Sequence, residues 1–246
     1  MALKVDFHVH TGDDAENRIT YSTKDIIDIA ESKGYDALCI TNHDLITYDS
    51  TLKEYAAKRG ILLIPGLEIN IENKHILLIN VKDCNNIKTL SDIEKLKSNK
   101  NLIIAPHPFF PGMQALGKTM YEIPHLFDAV EFCHFYSPNF NFNNEGIRFS
   151  KKYHLPMVSN SDAHLLEQFG NAYTLVETED KDILSIIKAV KEGKVSFVAP
   201  PLTISRMILI YLKILLRKKT IFDLCTRVFG IASKIVNIKE MKKNIK

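Results

Sequence analysis

From Val5 to about Lys194, short apolar runs alternate with amphipathic stretches. VDFHVH, ALCIT, ILLIPGLEI, HILLINV, NLIIAP, AVEFC, PMVSNS and AYTLVE read as strands, and several are continuously apolar, as strands covered on both faces are. Between them lie helical patterns. STKDIIDIAESKG opens with Ser22 as N-cap and Asp25 three residues on, and stops at Gly34. SDIEKLKSN repeats the device with Ser91 and Glu94, and DKDILSIIKAVKEG stops at Gly193. Strand and helix in alternation predict a parallel α/β architecture, open or closed into a barrel. In either form, reactive side chains gather where strands run out.

Composition changes this picture little until charge is divided along the chain. At 246 residues, 46% apolar and 25% charged, the chain can bury a sizeable core. Residues 201–246 hold eleven Lys and Arg against Asp223 and Glu240, so a basic tail follows an acidic body. Pro200 and Pro201 mark the boundary between a domain over 1–200 and an extension over 201–246. The apolar stretch of that extension, Met207 to Leu216, is broken by Lys213 and is half the length a spanning helix needs. It reads as a basic amphipathic helix that covers the domain or pairs with a second copy. Contact with an anionic membrane surface or with nucleic acid phosphates is the less favoured reading. Cys39, Cys84, Cys133 and Cys225 form no CxxC pair, and MALKVDF lacks an apolar leader core, so a cytoplasmic protein with reduced thiols is expected.

The chemistry lies at the ends of the predicted strands. Alternation puts Val5, Phe7 and Val9 in one row and Asp6, His8 and His10 in the other. His43 follows ALCIT, Glu68 follows ILLIPG, His107 follows NLIIAP, His134 follows AVEFC, and Asp162 and His164 follow PMVSN. His75 opens its strand, which fits this rule only if that strand is antiparallel or a loop carries it in. One histidine at a strand end is ordinarily a satisfied polar residue. Imidazoles and carboxylates after five or more strands would instead meet at one rim. Such a set suits zinc, manganese or iron(II), and it is too large for one tetrahedral ion. Two or three ions sharing a bridging carboxylate are expected.

The ordered set FHVHT, TNHD, GLE, HP and SDAH resembles the motifs of the polymerase and histidinol phosphatase (PHP) family of metal-dependent phosphoesterases, over roughly Val5 to Pro200. The resemblance implies a distorted (βα)7 TIM-like barrel with a trinuclear site at its C-terminal rim. It implies one ion on His8, His10, Glu68 and Asp162, and a second on Glu68, His75 and His107. A third ion would take His43, His164 and an acid from the loop after His10. There the chain departs from the usual HTxxSDG, and HTGDDAEN offers Asp13 or Asp14, of which Asp14 is preferred.

The expected reaction is hydrolysis of a phosphoric ester by a hydroxide bridging the ions, with His43, His164 and Asp162 serving catalysis. No GxSxG elbow, persuasive Cys–His pair or phosphate-binding GxxxxGK[ST] loop competes with it. Arg18 and His134 are the candidate contacts to a phosphorylated small molecule or nucleotide. Relatives acting on nucleotides often carry an arginine after the HP motif, where HPFFPGM has aromatic residues. Hydrolysis of a non-phosphate bond, or a regulatory protein on a PHP-like barrel, are the alternatives.

Overall fold

The computed structural model describes residues 1–112 and 114–217. Cys225 and most of the basic tail lie outside the described residues. Among the described residues, ten strands form two five-stranded sheets. The first has the order β10 (Val195–Val198), β9 (Tyr173–Glu177), β1 (Ala2–Val9), β2 (Ala37–Ile40), β3 (Leu62–Ile64). The second runs β4 (Gly66–Ile71), β5 (Lys74–Ile79), β6 (Leu102–Ala105), β7 (Ala129–Glu131), β8 (Met157–Val158).

Both sheets are mixed, which overturns the expected (βα)7 barrel. β1, β2 and β3 are parallel, as are β6, β7 and β8, but β9 runs antiparallel to β1 and β10. β4–β5–β6 is antiparallel throughout. A closed (βα)7 barrel needs a helix between successive strands, whereas β3, β4 and β5 follow one another without one. The predicted strand ILLIPGLEI breaks at Pro65, its first half entering one sheet and its second half the other. Gly66 makes that corner possible, because a Cβ there would lie 2.5 Å from Cys39 Sγ and 2.7 Å from the Leu78 carbonyl.

The sheets share a core built from Val5 and Phe7, Cys39, Ile64, Leu77, Ile104 and Val176, closed by Ile186, Ile187 and Val190 of α5 (Ile183–Lys191). Helices α1 (Thr23–Ser32) and α2 (Ser50–Ala57) cover the outer face of the first sheet through Ile26, Ile27, Ala30 and Ala56. Helices α3 (Leu90–Leu96) and α4 (Asn143–Tyr153) cover the second through Ile93 and Phe149. Ser22 and Asp25 form the predicted capping box. In α3 the box is Thr89 with Asp92, two residues upstream of the pair read from the sequence. The register of β1 against β2 slips between Asp6 and Val9, and Val9 joins the outer core rather than the row of Val5 and Phe7.

The final described element is α6 (Ile204–Arg217). Met207, Ile210 and Ile214 dock on Phe135, Leu165 and Leu202, and Lys213 Nζ lies 2.9 Å from Glu167. Among the described residues no helix is long and apolar enough to cross a membrane.

Candidate metal centre

The parallel strands deliver most of the site at their C-terminal ends: His8 from β1, His43 after β2, His107 after β6, Glu131 ending β7, and Asp162 and His164 after β8. Glu68 and His75 arrive differently. In the β4–β5 ladder Glu68 opposes Leu77 and Asn70 opposes His75, so alternation puts Glu68 and His75 on one face. The antiparallel course of β5 therefore brings a strand-opening histidine to the rim. A bridge between His43 and Glu68 ties the two sheets together at this point.

Four donor atoms converge first. His8 Nε2 and His10 Nε2 are 3.1 Å apart, and each lies 3.3 Å from Glu68 Oε2 and 3.4 Å from Asp162 Oδ1. Two donors bonded at about 2.0–2.1 Å to one tetrahedral first-row ion lie about 3.3–3.4 Å apart, so these five separations are of the right size for shared coordination. Glu68 extends the cluster through its other oxygen: Oε1 is 2.9 Å from His75 Nδ1 and 3.5 Å from His107 Nε2. His43 Nε2 approaches Glu68 Oε2 at 3.2 Å, and the His43 ring stacks on that of His10. Glu68 thus stands at the centre, in reach of five imidazoles.

Around these atoms a second tier fixes the rings. A carboxylate only accepts hydrogen bonds, so an imidazole nitrogen facing one carries the proton and leaves its other nitrogen as a lone-pair donor. His8 Nδ1 faces Glu131 at 3.2 Å, while Asp14 Oδ2 takes both His10 Nδ1 at 3.0 Å and His43 Nδ1 at 2.7 Å. Glu131 also accepts the His107 amide at 2.9 Å and Asn160 Nδ2 at 2.8 Å. His164 Nδ1 donates to the Asp162 carbonyl at 3.1 Å. The backbone is left-handed at His107 (φ 28°) and Asp162 (φ 42°), conformations that the surrounding bonds must hold.

The electrostatics follow from burial. Desolvation alone would raise Glu68 and Asp162, but the surrounding imidazoles hold both far below the usual carboxylate range. Glu131 is likewise pushed up by burial and brought down further by His8. Burial opposes protonation of His8 and His10, and the carboxylates around them overcome it. Burial drives His164 down to about 3 and lowers His134, so both rings stay neutral near neutral pH. Glu68 Oε1, His75 Nε2, His107 Nδ1 and Asp162 Oδ1 are buried with no hydrogen-bond partner. Buried polar atoms are rarely left so. This donor set fits divalent cations.

Every metal ligand predicted from the sequence reaches this one region, but Asp14 arrives in a different posture. Its Oδ2 engages His10 and His43, and its Oδ1 accepts the amides of Glu16 and Asn17. Asp13 lies outside the donor groups, whereas Glu16 groups with His43 and His75. His134 lines the cavity above the cluster and lies 3.5 Å from Gln168 Nε2. Arg18 is exposed and is not among the lining residues. Strand alternation sets Glu131 and His134 on opposite faces, and the structure reconciles them because β7 ends at Glu131. Asp6, Asn160 and Asn42 are further buried polar groups at the site. Asp6 accepts the His8 and Ser161 amides, and burial pushes its carboxyl up to about 7.

The α/β scaffold thus gathers six imidazoles and several carboxylates from separate strands into groups that could hold divalent metal ions. The family model described as PHP-associated matches residues 140–195. The fold and that match make the chain similar to PHP-family proteins. It is 27% identical over 152 residues to the uncharacterized protein MJ1587 of Methanocaldococcus jannaschii, covering 58% of this chain and 88% of that one. Its fold is similar to a two-domain Bacteroides vulgatus protein described as containing a predicted PHP-like metal-dependent phosphoesterase (TM-score 0.63, 21% identity), matching 80% of this chain. The chain spans only 64% of that protein. PsfC from Pseudomonas syringae (TM-score 0.57, 19% identity) matches 85% of this chain and 96% of its own. The lesion-specific endonuclease Q of Pyrococcus furiosus (TM-score 0.52, 19% identity) matches 80% and 58%.

Proposed function

We propose that this chain is a metal-dependent phosphoesterase. The observation that carries the reading is the buried convergence of His8, His10, His43, His75 and His107 on the Glu68 carboxylate, with Asp162 beside His8 and His10. His8, His10, Glu68 and Asp162 would hold one ion, and Glu68, His75 and His107 a second. His43 and His164 would serve a third. For that ion we assign the loop acid to Glu16, whose Oε2 lies 4.0 Å from His43 Nε2. Asp14 is assigned the task of orienting His10 and His43.

Divalent ions held by such donors polarise a phosphoryl oxygen and lower the pKa of water. The chain's own work is then to orient, neutralise and exclude water. Glu131 and Asp14 fix three imidazoles in the tautomer that presents Nε2. His164 keeps its Nδ1–H on the Asp162 carbonyl and so presents a neutral Nε2 toward the third ion. His134 sits over the cavity floor, placed to touch a bound ester. Endonuclease Q and the PHP-like phosphoesterase share this fold, which supports phosphoric ester chemistry without choosing monoester or diester.

The test is turnover of p-nitrophenyl phosphate and bis-p-nitrophenyl phosphate by manganese-loaded protein, with His8→Ala as control. Hydrolysis of either ester, lost with His8→Ala, supports the reading. Inertness toward both in protein shown by elemental analysis to be loaded would overturn it in favour of a non-phosphate bond or a non-catalytic role.

A further inference from the structure

The cavity above the donor cluster has a volume of about 560 Å³ and two unlike halves. Its floor is polar. Its upper wall is Phe110 and Pro111 from the loop after β6, Phe135 from the segment after β7, and Tyr211, Ile214 and Leu215 from α6. Among the described lining residues none is Lys or Arg.

This wall is built rather than incidental. Phe110 packs edge-on against Phe135 and Phe142, with centroids 5.8 and 5.9 Å apart. Helix α6 is anchored by Ile210, which is 1% exposed, and is clamped by Lys213 on the Glu167 carboxylate and Arg206 on the Glu167 carbonyl. Met207, Ile210 and Ile214 form the docking stripe at helical spacing. Tyr211 and Leu215, one position on, form the adjacent stripe over the cavity mouth. Among the described lining residues, α6 thus contributes a tyrosine and two aliphatic side chains. Among the described lining residues a leaving group carrying further phosphates or carboxylates would meet no cationic side chain, while an apolar one would shed water against five apolar side chains and the Tyr211 ring.

Resting on the phosphoesterase reading, we propose that the substrate is a phosphate ester of a bulky, uncharged, apolar alcohol, whose hydrocarbon part lies between α6 and Phe110–Phe135 while its phosphoryl group faces the cation-binding floor.

The test compares three esters of phenols of similar acidity, in the monoester or methyl diester form that the nitrophenyl assay selects. They are phenyl, 4-tert-butylphenyl and 4-(2-carboxyethyl)phenyl phosphate. Expected is a kcat/KM at least about tenfold higher for the tert-butyl ester than for the phenyl ester, with no gain for the carboxylate. Tyr211→Ser combined with Leu215→Ser should lower that preference ratio by at least about fivefold. As a readout apart from turnover, 4-tert-butylphenylphosphonate should bind more tightly than phenylphosphonate by calorimetry, and the double variant should narrow the gap. Tyr211 is 57% exposed, so the variant leaves the anchoring stripe in place, and its metal content and circular dichroism verify the fold. A ratio near one, a preference for the carboxylate, or a ratio untouched by the double variant overturns this inference while leaving ester hydrolysis standing. Failure to hydrolyse any ester, in loaded protein that also binds no phosphonate, overturns the underlying reading as well.

Discussion

Glu131→Gln isolates the contribution of the orienting tier without touching an atom assigned to bind a cation. In the native side chain Oε1 accepts from Asn160 Nδ2 at 2.8 Å and Oε2 from the His107 amide at 2.9 Å, while His8 Nδ1 lies 3.2 and 3.3 Å from the two oxygens. A glutamine keeps the volume but has one oxygen. Whichever way the amide is turned, its NH2 faces a donor, either Asn160 Nδ2 or the His107 N–H. With the residue 2% exposed, no bulk water relieves the mismatch. One lost charge-assisted hydrogen bond and one opposed donor pair amount to roughly 2–3 kcal/mol in the metal-free protein. For a domain of this size that lowers the melting temperature by about 4–12 °C. Loss of an imidazole-orienting carboxylate ordinarily weakens metal binding by about 10–100-fold. Differential scanning calorimetry of the chelator-treated protein reads the first number, and competition against a chromogenic chelator reads the second. Metal affinity within about threefold of the unmodified protein, with an unchanged melting temperature, would refute the role assigned to Glu131.

Four other outcomes follow from the same geometry. Glu68→Ala removes the one carboxylate shared by the two donor groups of His8–His10 and His75–His107, so elemental analysis should report loss of more than one ion per chain. Glu16→Gln should lower the metal stoichiometry by one ion at most and leave the site on His8 and His10 filled. Metal affinity should fall as pH is lowered. The carboxylates around His8 and His10 raise their proton affinity in the metal-free state, so ions must displace protons there, and chelator competition between pH 8 and 6 should show weaker binding at the acid end. Gly66→Ala forces a Cβ against Cys39 Sγ and the Leu78 carbonyl at the sheet corner, and should destabilise by about 1–3 kcal/mol or more in a denaturant titration.

The strands were legible because burial on both faces writes itself as uninterrupted apolar runs, but strand direction is not written there. HILLINV looks the same whether β5 runs parallel or antiparallel, and the barrel expectation failed on that ambiguity. Pro65 was the available warning, since a proline inside an apolar run argues for a break. β10 escaped notice because Val195–Val198 is an edge strand with alternating exposure, only four residues long, directly after the α5 stop. α4 escaped because NNEGIRFSKKY is strongly polar, and only Gly146, Phe149 and Ser150 with Asn143 are buried along it.

For the site, the division falls between atoms that meet an ion and atoms that meet other side chains. Histidines at strand ends are conspicuous in type and place, and the pattern picked out five of the six that cluster around Glu68 and Asp162, while His75, near the start of its strand, was placed only by the family resemblance. The carboxylates that steer them carry no such mark. Asp14 stands in the loop where an acid was sought, yet its oxygens are spent on His10, His43 and the amides of Glu16 and Asn17. Glu131 and His134, which strand alternation would set on opposite faces, both serve this region because β7 ends at Glu131. Asn160 has no signature in one dimension, because it accepts the Phe7 amide from 153 residues away, and Asp6, which alternation set beside His8, shows its Ser161 partner, 155 residues away, only in the fold. A carboxylate fixing a ring is recognisable only once the ring's other nitrogen is seen to point at something, and that requires the three-dimensional arrangement of both.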